Sequence, residues 1–299
     1  MLKRIVTCLL SASTLCLGAA SAEDACDQTC KSRLIDQYLH ALVTSAPDEA
    51  PLAESYRATE NQHEIAPGEG LWTSATGFGP MQRRFFDEAT GNAAFYGLVY
   101  EADGPALLSL RLSFDGQDIT ESEAIIARDF EPLYNPVAAI KEAPDFTNPA
   151  DLSGLTREMM TTTADKYFDG LRDNTGEGIP KVDGCKRIEN GTRVTNRRPG
   201  SGDHADEVRS GDCTSGFENF TSIAEIAHRR YPVADTEAGV VMGVGLFQRP
   251  PGAVGRDGNP RKRNLIHEYF RTDAEGRITE IFAVMRYIEA DEPNATGWE

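Results

Sequence analysis

The stretch Ile35-Asp36-Gln37-Tyr38-Leu39-His40-Ala41-Leu42 returns as Ala164-Asp165-Lys166-Tyr167-Phe168-Asp169-Gly170-Leu171, 129 residues later. The same offset sets Glu60-Asn61 on Glu189-Asn190. Further on, Gly70-Leu71 matches Gly216-Phe217, and Arg83-Arg84-Phe85 matches Arg229-Arg230-Tyr231, both at offset 146. Ile119-Thr120-Glu121 matches Ile278-Thr279-Glu280 at offset 159. Offsets that only grow, in the same order along both halves, mark one unit copied, with insertions in the second copy. The insertions fall in Gly191–Ser215 and Pro250–Lys262, both rich in loop-forming residues.

Each copy predicts an opening helix, because Leu34, Ile35, Tyr38, Leu39 and Leu42 share one helical face. Tyr167, Phe168 and Leu171 repeat that face, after a start near Thr156. A short strand follows, around Tyr56–Asn61 and Lys186–Asn190. A second helix is expected over Leu71–Phe86 and Phe217–Arg230. Three strands close each copy: Ala93–Tyr100, Ala106–Phe114 and Thr120–Arg128, then Val240–Phe247, Asn264–Arg271 and Ile278–Tyr287. Asp115-Gly116 and Glu275-Gly276 supply turns. Helices followed by an antiparallel meander define an α+β domain. The expected organisation is a signal peptide at 1–22, a first domain at 23–130 and a proline-rich linker at 131–153. A second domain at 154–290 and a tail at 291–299 complete it.

Lys3 and Arg4, the apolar run Ile5–Leu17 and the small residues Ala20-Ser21-Ala22 read as an export leader cut after Ala22. The protein is therefore expected to be periplasmic or extracellular, without a membrane anchor. The 299 residues carry a net charge of −17. Losing the leader removes Lys3 and Arg4 and no acid, which leaves −19. Such a field disfavours nucleic acid as a partner. Cys26, Cys30, Cys185 and Cys213 remain after cleavage. Local loop closure favours the pairs Cys26–Cys30 and Cys185–Cys213. Cys-x3-Cys with no nearby His is a poor zinc site, so neither metal nor cofactor is expected.

The order of elements resembles the SnoaL-like branch of the NTF2-like superfamily. Arg57-Ala58-Thr59-Glu60-Asn61 and Pro67-Gly68-Glu69-Gly70-Leu71-Trp72 resemble the first half of exported tandem proteins of this kind. Cys185-Lys186-Arg187-Ile188-Glu189-Asn190-Gly191 resembles their second half. The resemblance implies two cone-shaped domains, each with helices filling a curved, mostly antiparallel sheet. It also implies a site at the cone mouth and an intrachain pseudo-dimer. Superfamily members include isomerases, dehydratases, lyases and non-catalytic binders, and fold alone does not choose among them.

Duplication sorts the candidate site residues. A residue kept in both copies serves the shared fold, whereas a polar residue present in one copy is freer to serve a site. Glu60 and His63, three residues apart, are the candidate base and acid. Arg57, Trp72 and Tyr96 are candidate ligand contacts in the first copy. Arg187, Glu189, His267 and Tyr269 are candidates in the second. One arginine of Arg83-Arg84 or Arg229-Arg230 could hold a carboxylate, although cations at a helix end explain them as well. Three N-glycosylation sequons begin at Asn190, Asn219 and Asn294. The expectation is a cofactor-independent acid–base enzyme of lyase, dehydratase or isomerase type acting on a small organic molecule. A non-catalytic small-molecule binder is the alternative.

Overall fold

The computed structural model describes residues 26–147, 150–196, 211–255 and 257–293. The leader, His204 and the Asn294 sequon lie outside these residues.

Each copy is one helix laid on one six-stranded sheet. Copy one runs α1 (Gln28–Val43), β1 (Leu52–Glu60), β2 (His63–Ile65), a single turn α2 (Leu71–Ser74), β3 (Ala75–Phe86), β4 (Ala93–Glu101), β5 (Gly104–Asp115) and β6 (Asp118–Ala127). After α3 (Pro136–Lys141), copy two runs α4 (Arg157–Asp173), β7 (Lys181–Glu189), β8 (Thr192–Arg193), β9 (Glu225–Asp235), β10 (Val240–Gln248), β11 (Arg263–Thr272) and β12 (Ile278–Ile288). Strand orders are β2-β1-β6-β5-β4-β3 and β8-β7-β12-β11-β10-β9.

Two expectations are corrected here. The second helix of each copy is mostly strand: β3 and β9 replace it, leaving α2 and a 3-10 turn at Phe217–Asn219. Gly77, Gly79 and Pro80 break a helix in copy one. The cone is also absent. The sheets neither curl nor close: β2 and β3 end one sheet, and β8 and β9 end the other, as unjoined edges. The sheets are mixed, because β1 runs parallel to β6 and β7 to β12. The residues counted on for a second wall of helix extend the sheet instead.

The helices sit where periodicity puts them. Asp27 caps α1 by accepting the Cys30 N–H at 2.8 Å, and Cys26 is bonded to Cys30. Thr156 caps α4. Tyr38 meets Trp72 edge-on at 5.3 Å, and Tyr167 meets Phe217 edge-on at 5.1 Å. One arginine of each pair holds its own helix: Arg84 reaches Asp36, and Arg229 reaches Asp165, the same position in the other copy.

The ladders repeat as well. Arg57 lies opposite Glu121 and Glu60 opposite Ala124; Lys186 lies opposite Glu280 and Glu189 opposite Ala283. Asn61 and Asn190 both take positive φ at the end of the parallel strand. Asn61 accepts the Ile126 N–H at 2.9 Å, and Asn190 accepts the Met285 N–H at 2.7 Å. Asparagine tolerates that left-handed conformation while its amide pairs a backbone group, so this conserved pair is structural. Asn190 is fully buried, whereas Asn219 is exposed.

The sheet faces away from the helices pack on each other. β6 lies on β12 and β3 on β9, each against its own duplicate, and β5 on β12 is matched by β6 on β11. Residues meeting their own copies mark a two-fold arrangement, an isologous interface inside one chain. Phe85, Tyr96, Tyr269 and Phe282 fill it, with Tyr269 and Phe282 stacked at 5.0 Å. Ser109 and His267 are the same position in the two copies, and they share a hydrogen bond of 2.9 Å. Burial of that apolar face is the main force holding the copies together. The segment between the copies contributes through Ala139 of α3. No helix among the described residues is long and apolar enough to cross a membrane.

Candidate functional site

A cavity of about 810 Å³ opens on the helix side of the second sheet. Its floor comes from α4, β7 and β11, which contribute Tyr167, Arg187 and Glu189, and Glu268. Both insertions of copy two bear on it. The first brings Cys213, bonded to Cys185, and its carbonyl accepts from Arg187 Nη1 at 3.2 Å. The second brings Arg261 and Lys262 to the rim.

Arg187 is 3 % exposed. It donates to the Tyr167 hydroxyl at 3.2 Å, and its Nε lies 2.9 Å from Glu189, close but not aligned for a hydrogen bond. Its guanidinium also lies over the Phe217 and Phe220 rings. Burial works against the Arg187 charge, and the oxygens of Tyr167 and Glu189 outweigh it, so its pKa is raised. Tyr167 is pushed well above the usual phenol range by burial.

Glu268 is 2 % exposed, and its Oε2 has no hydrogen-bond partner among the described residues. Burial, then the neighbouring Glu189 carboxylate, push it up to about 8 against the pull of Arg187. A carboxyl group in that state is a proton donor at neutral pH, beside a fixed cation that can stabilise developing negative charge. Among the described residues no cluster of His, Cys, Asp and Glu could hold a metal ion.

Copy one carries different residues at the matching place. Ladder partners fix the correspondence: Leu98 lies opposite Leu107, and Leu246 opposite Leu265. Glu268 therefore stands where copy one has Leu110, Arg187 where it has Ala58, and Asn264 where it has Ala106. Glu60, Arg128 and Glu101 form one ion cluster, with Arg128 2.7 Å from Glu101 and 3.4 Å from Glu60. Glu60 also accepts the Leu71 N–H at 2.8 Å. Trp72 is buried in the copy-one core beside Tyr38.

The sequence candidates divide accordingly. Arg187 and Glu189 line the cavity. Glu60 and His63 face each other across the β1–β2 ladder, but their side chains take other partners: Glu60 serves Leu71 and Arg128, while the exposed His63 ring lies 3.2 Å from Glu292. Arg57 pairs with Glu64 at 2.7 Å near the surface. His267, Tyr269 and Tyr96 belong to the interface between sheets. Alternation along β11 explains this, because His267 and Tyr269 point away from the face that Ile266 and Glu268 share. Glu268 was missed beside them. Its signal was present: a carboxylate in one copy where the other has leucine.

No curated protein matches this chain. It is similar to an NTF2-like protein of unknown function from Cytophaga hutchinsonii, at 15% identity over 32% of this chain and 88% of that one, with a TM-score of 0.27. A putative ketosteroid isomerase from Kribbella flavida is 16% identical over 40% of this chain and 93% of that one, with a TM-score of 0.29. An uncharacterised protein with a cystatin-like fold from Silicibacter pomeroyi is 15% identical over 32% and 74%, with a TM-score of 0.26. Overlap at that level carries no argument about activity. Over residues 154–285, which contain Tyr167, Arg187, Glu189, Arg249 and Glu268, the chain is similar to the family described as Domain of unknown function (DUF8021).

Proposed function

We propose that the second copy binds a small polar organic molecule and moves a proton on it, while the first copy is a structural partner. Glu268 is the acid, poised to protonate a leaving group or carbonyl oxygen and to take a proton back. Arg187 and Tyr167 hold the atom that gains charge. This is the chemistry of a dehydratase, lyase or isomerase that needs no organic cofactor. The observation that carries the reading is the buried Glu268 carboxyl at the cavity wall, with one oxygen unpartnered. The leader at residues 1–22 and two disulfides support export to an oxidising compartment.

The test is a metabolite screen with the wild type and Glu268→Gln, both confirmed folded by circular dichroism. Turnover in the wild type and its loss in the variant, with binding retained, is the expected result. Binding by both proteins without turnover by either would make the site a binder only. Equal turnover by both would remove Glu268 from the chemistry.

A further inference from the structure

We propose that the ligand of this cavity carries a carboxylate, held at the mouth by Arg249 with support from Arg261. The proposal rests on the cavity being a ligand site, but not on Glu268 doing chemistry there.

Among the described residues, Arg249 is a cation without a counterion. It donates to the carbonyls of Lys262 at 2.8 Å and Ser222 at 3.3 Å, and to the Asn264 side chain. All three acceptors are neutral. A guanidinium has five N–H groups, so two remain to donate. Its charge is partly buried and no carboxylate pairs with it among the described residues, an arrangement that costs free energy unless an anion arrives. Burial and the nearby Arg261 charge push Arg249 down to about 10. Lys262 is already paired with Glu289 at 2.6 Å, so it does not compete for the same anion.

The duplicate shows what is missing. Arg249 occupies the position of Glu101, and Tyr287 that of Arg128. In copy one Glu101 and Arg128 neutralise each other. In copy two the acid has become a base and the base a phenol. The second copy therefore has no carboxylate at the position of Glu101, where Arg249 stands, and a ligand can supply one in the fork geometry that arginine favours.

The spacing adds a shape. Asn264, which holds Arg249, and Glu268 lie on one face of β11, four residues apart, roughly 13 Å along a strand. A molecule that touches both is elongated, with its acid at the mouth and its reactive end at the floor.

The experiment uses the full chain and four probes: benzoate and hexanoate, with benzamide and hexanamide as neutral partners. Calorimetry and ligand-observed NMR at low salt measure binding up to ~10 mM, the range where fragments of this size bind. Each acid should bind about tenfold or more tightly than its amide. Arg249→Gln should remove that preference, Arg249→Lys should keep part of it, and Arg261→Gln, at an exposed position, should weaken acids by about threefold. Equal binding of acids and amides, binding of neither acid, or an unchanged preference in both Arg249→Gln and Arg261→Gln would overturn the proposal. Glu268→Gln should leave the preference intact, so failure of the proton-transfer reading is seen separately.

Discussion

Asp87 and Asp235 are the same residue in the two copies, and each serves the other's strand. The Asp87 carboxylate accepts the Ala234 N–H at 2.9 Å, and the Asp235 carboxylate accepts the Phe86 N–H at 2.8 Å. The remaining oxygen of each closes its own turn, Asp87 with Ala89 and Thr90, Asp235 with Glu237 and Ala238. This reciprocity is what a two-fold interface requires. Both groups are buried, and burial raises the Asp235 pKa.

Replacing either aspartate with alanine should therefore destabilise the whole chain by about 2 to 3 kcal/mol, because a backbone donor of the facing strand loses its partner. The two sites cross-link the same pair of strand ends, so the double variant should lose less than the sum of the singles. Urea unfolding of both singles and the double supplies the comparison. It should also show one transition in the wild type, since the copies share an interior.

Glu268 sets a pH dependence of stability. Its folded pKa is raised to about 8 from an ordinary 4.5. The folded state therefore holds an extra proton between those values. The associated stability is complete below about pH 4.5 and is lost as pH rises through 8. The gap between 4.5 and about 8 corresponds to at most roughly 5 kcal/mol. Thermal melts across pH 4 to 9 should show this slope in the wild type and a flatter profile in Glu268→Gln.

Glu60 has a structural task in the first copy. Glu60→Gln should cost about 1 to 2 kcal/mol through loss of the Arg128 charge contact, while ligand binding in copy two stays unchanged. Gly70 is sensitive for the same reason. Its φ is +59°, and an added Cβ would lie 2.2 Å from Glu60 Oε2. Gly70→Ala should destabilise by about 1 to 3 kcal/mol. A change in ligand affinity with Glu60→Gln would contradict this assignment.

The disulfides should separate by role. Cys185 and Cys213 are 28 residues apart, and Cys26 and Cys30 only 4. Chain entropy gives roughly 3 to 4 kcal/mol for the longer loop and roughly 2 for the shorter. Serine replacement of Cys185 and Cys213 should also weaken ligand binding, because the Cys213 carbonyl holds Arg187. Replacement of Cys26 and Cys30 should leave binding unchanged. Denaturation midpoints and titrations of both double variants measure the two effects independently.

Much of the fold was legible. The opening helix and the three closing strands of each copy, and both disulfides, follow from periodicity and spacing. The stretches after Gly70 and Gly216 did not yield, because short apolar runs interrupted by glycine fit a helix or a strand until a neighbour supplies hydrogen bonds. The site was half legible. Arg187 and Glu189 stand out beside Cys185, but His267 drew attention from Glu268, its neighbour on the opposite strand face.

The sequence alone determined that one unit occurs twice, which residues form its helical face, and which copy carries insertions. These are properties of local order along the chain, where period and offset are enough. Only the tertiary structure decided which face of β11 looks into a cavity and which into the partner sheet. It also decided that Glu60 has a backbone partner and Glu268 an unpaired oxygen. Burial and desolvation depend on what is packed from elsewhere in the chain, so identical positions in the two copies acquire different chemistry.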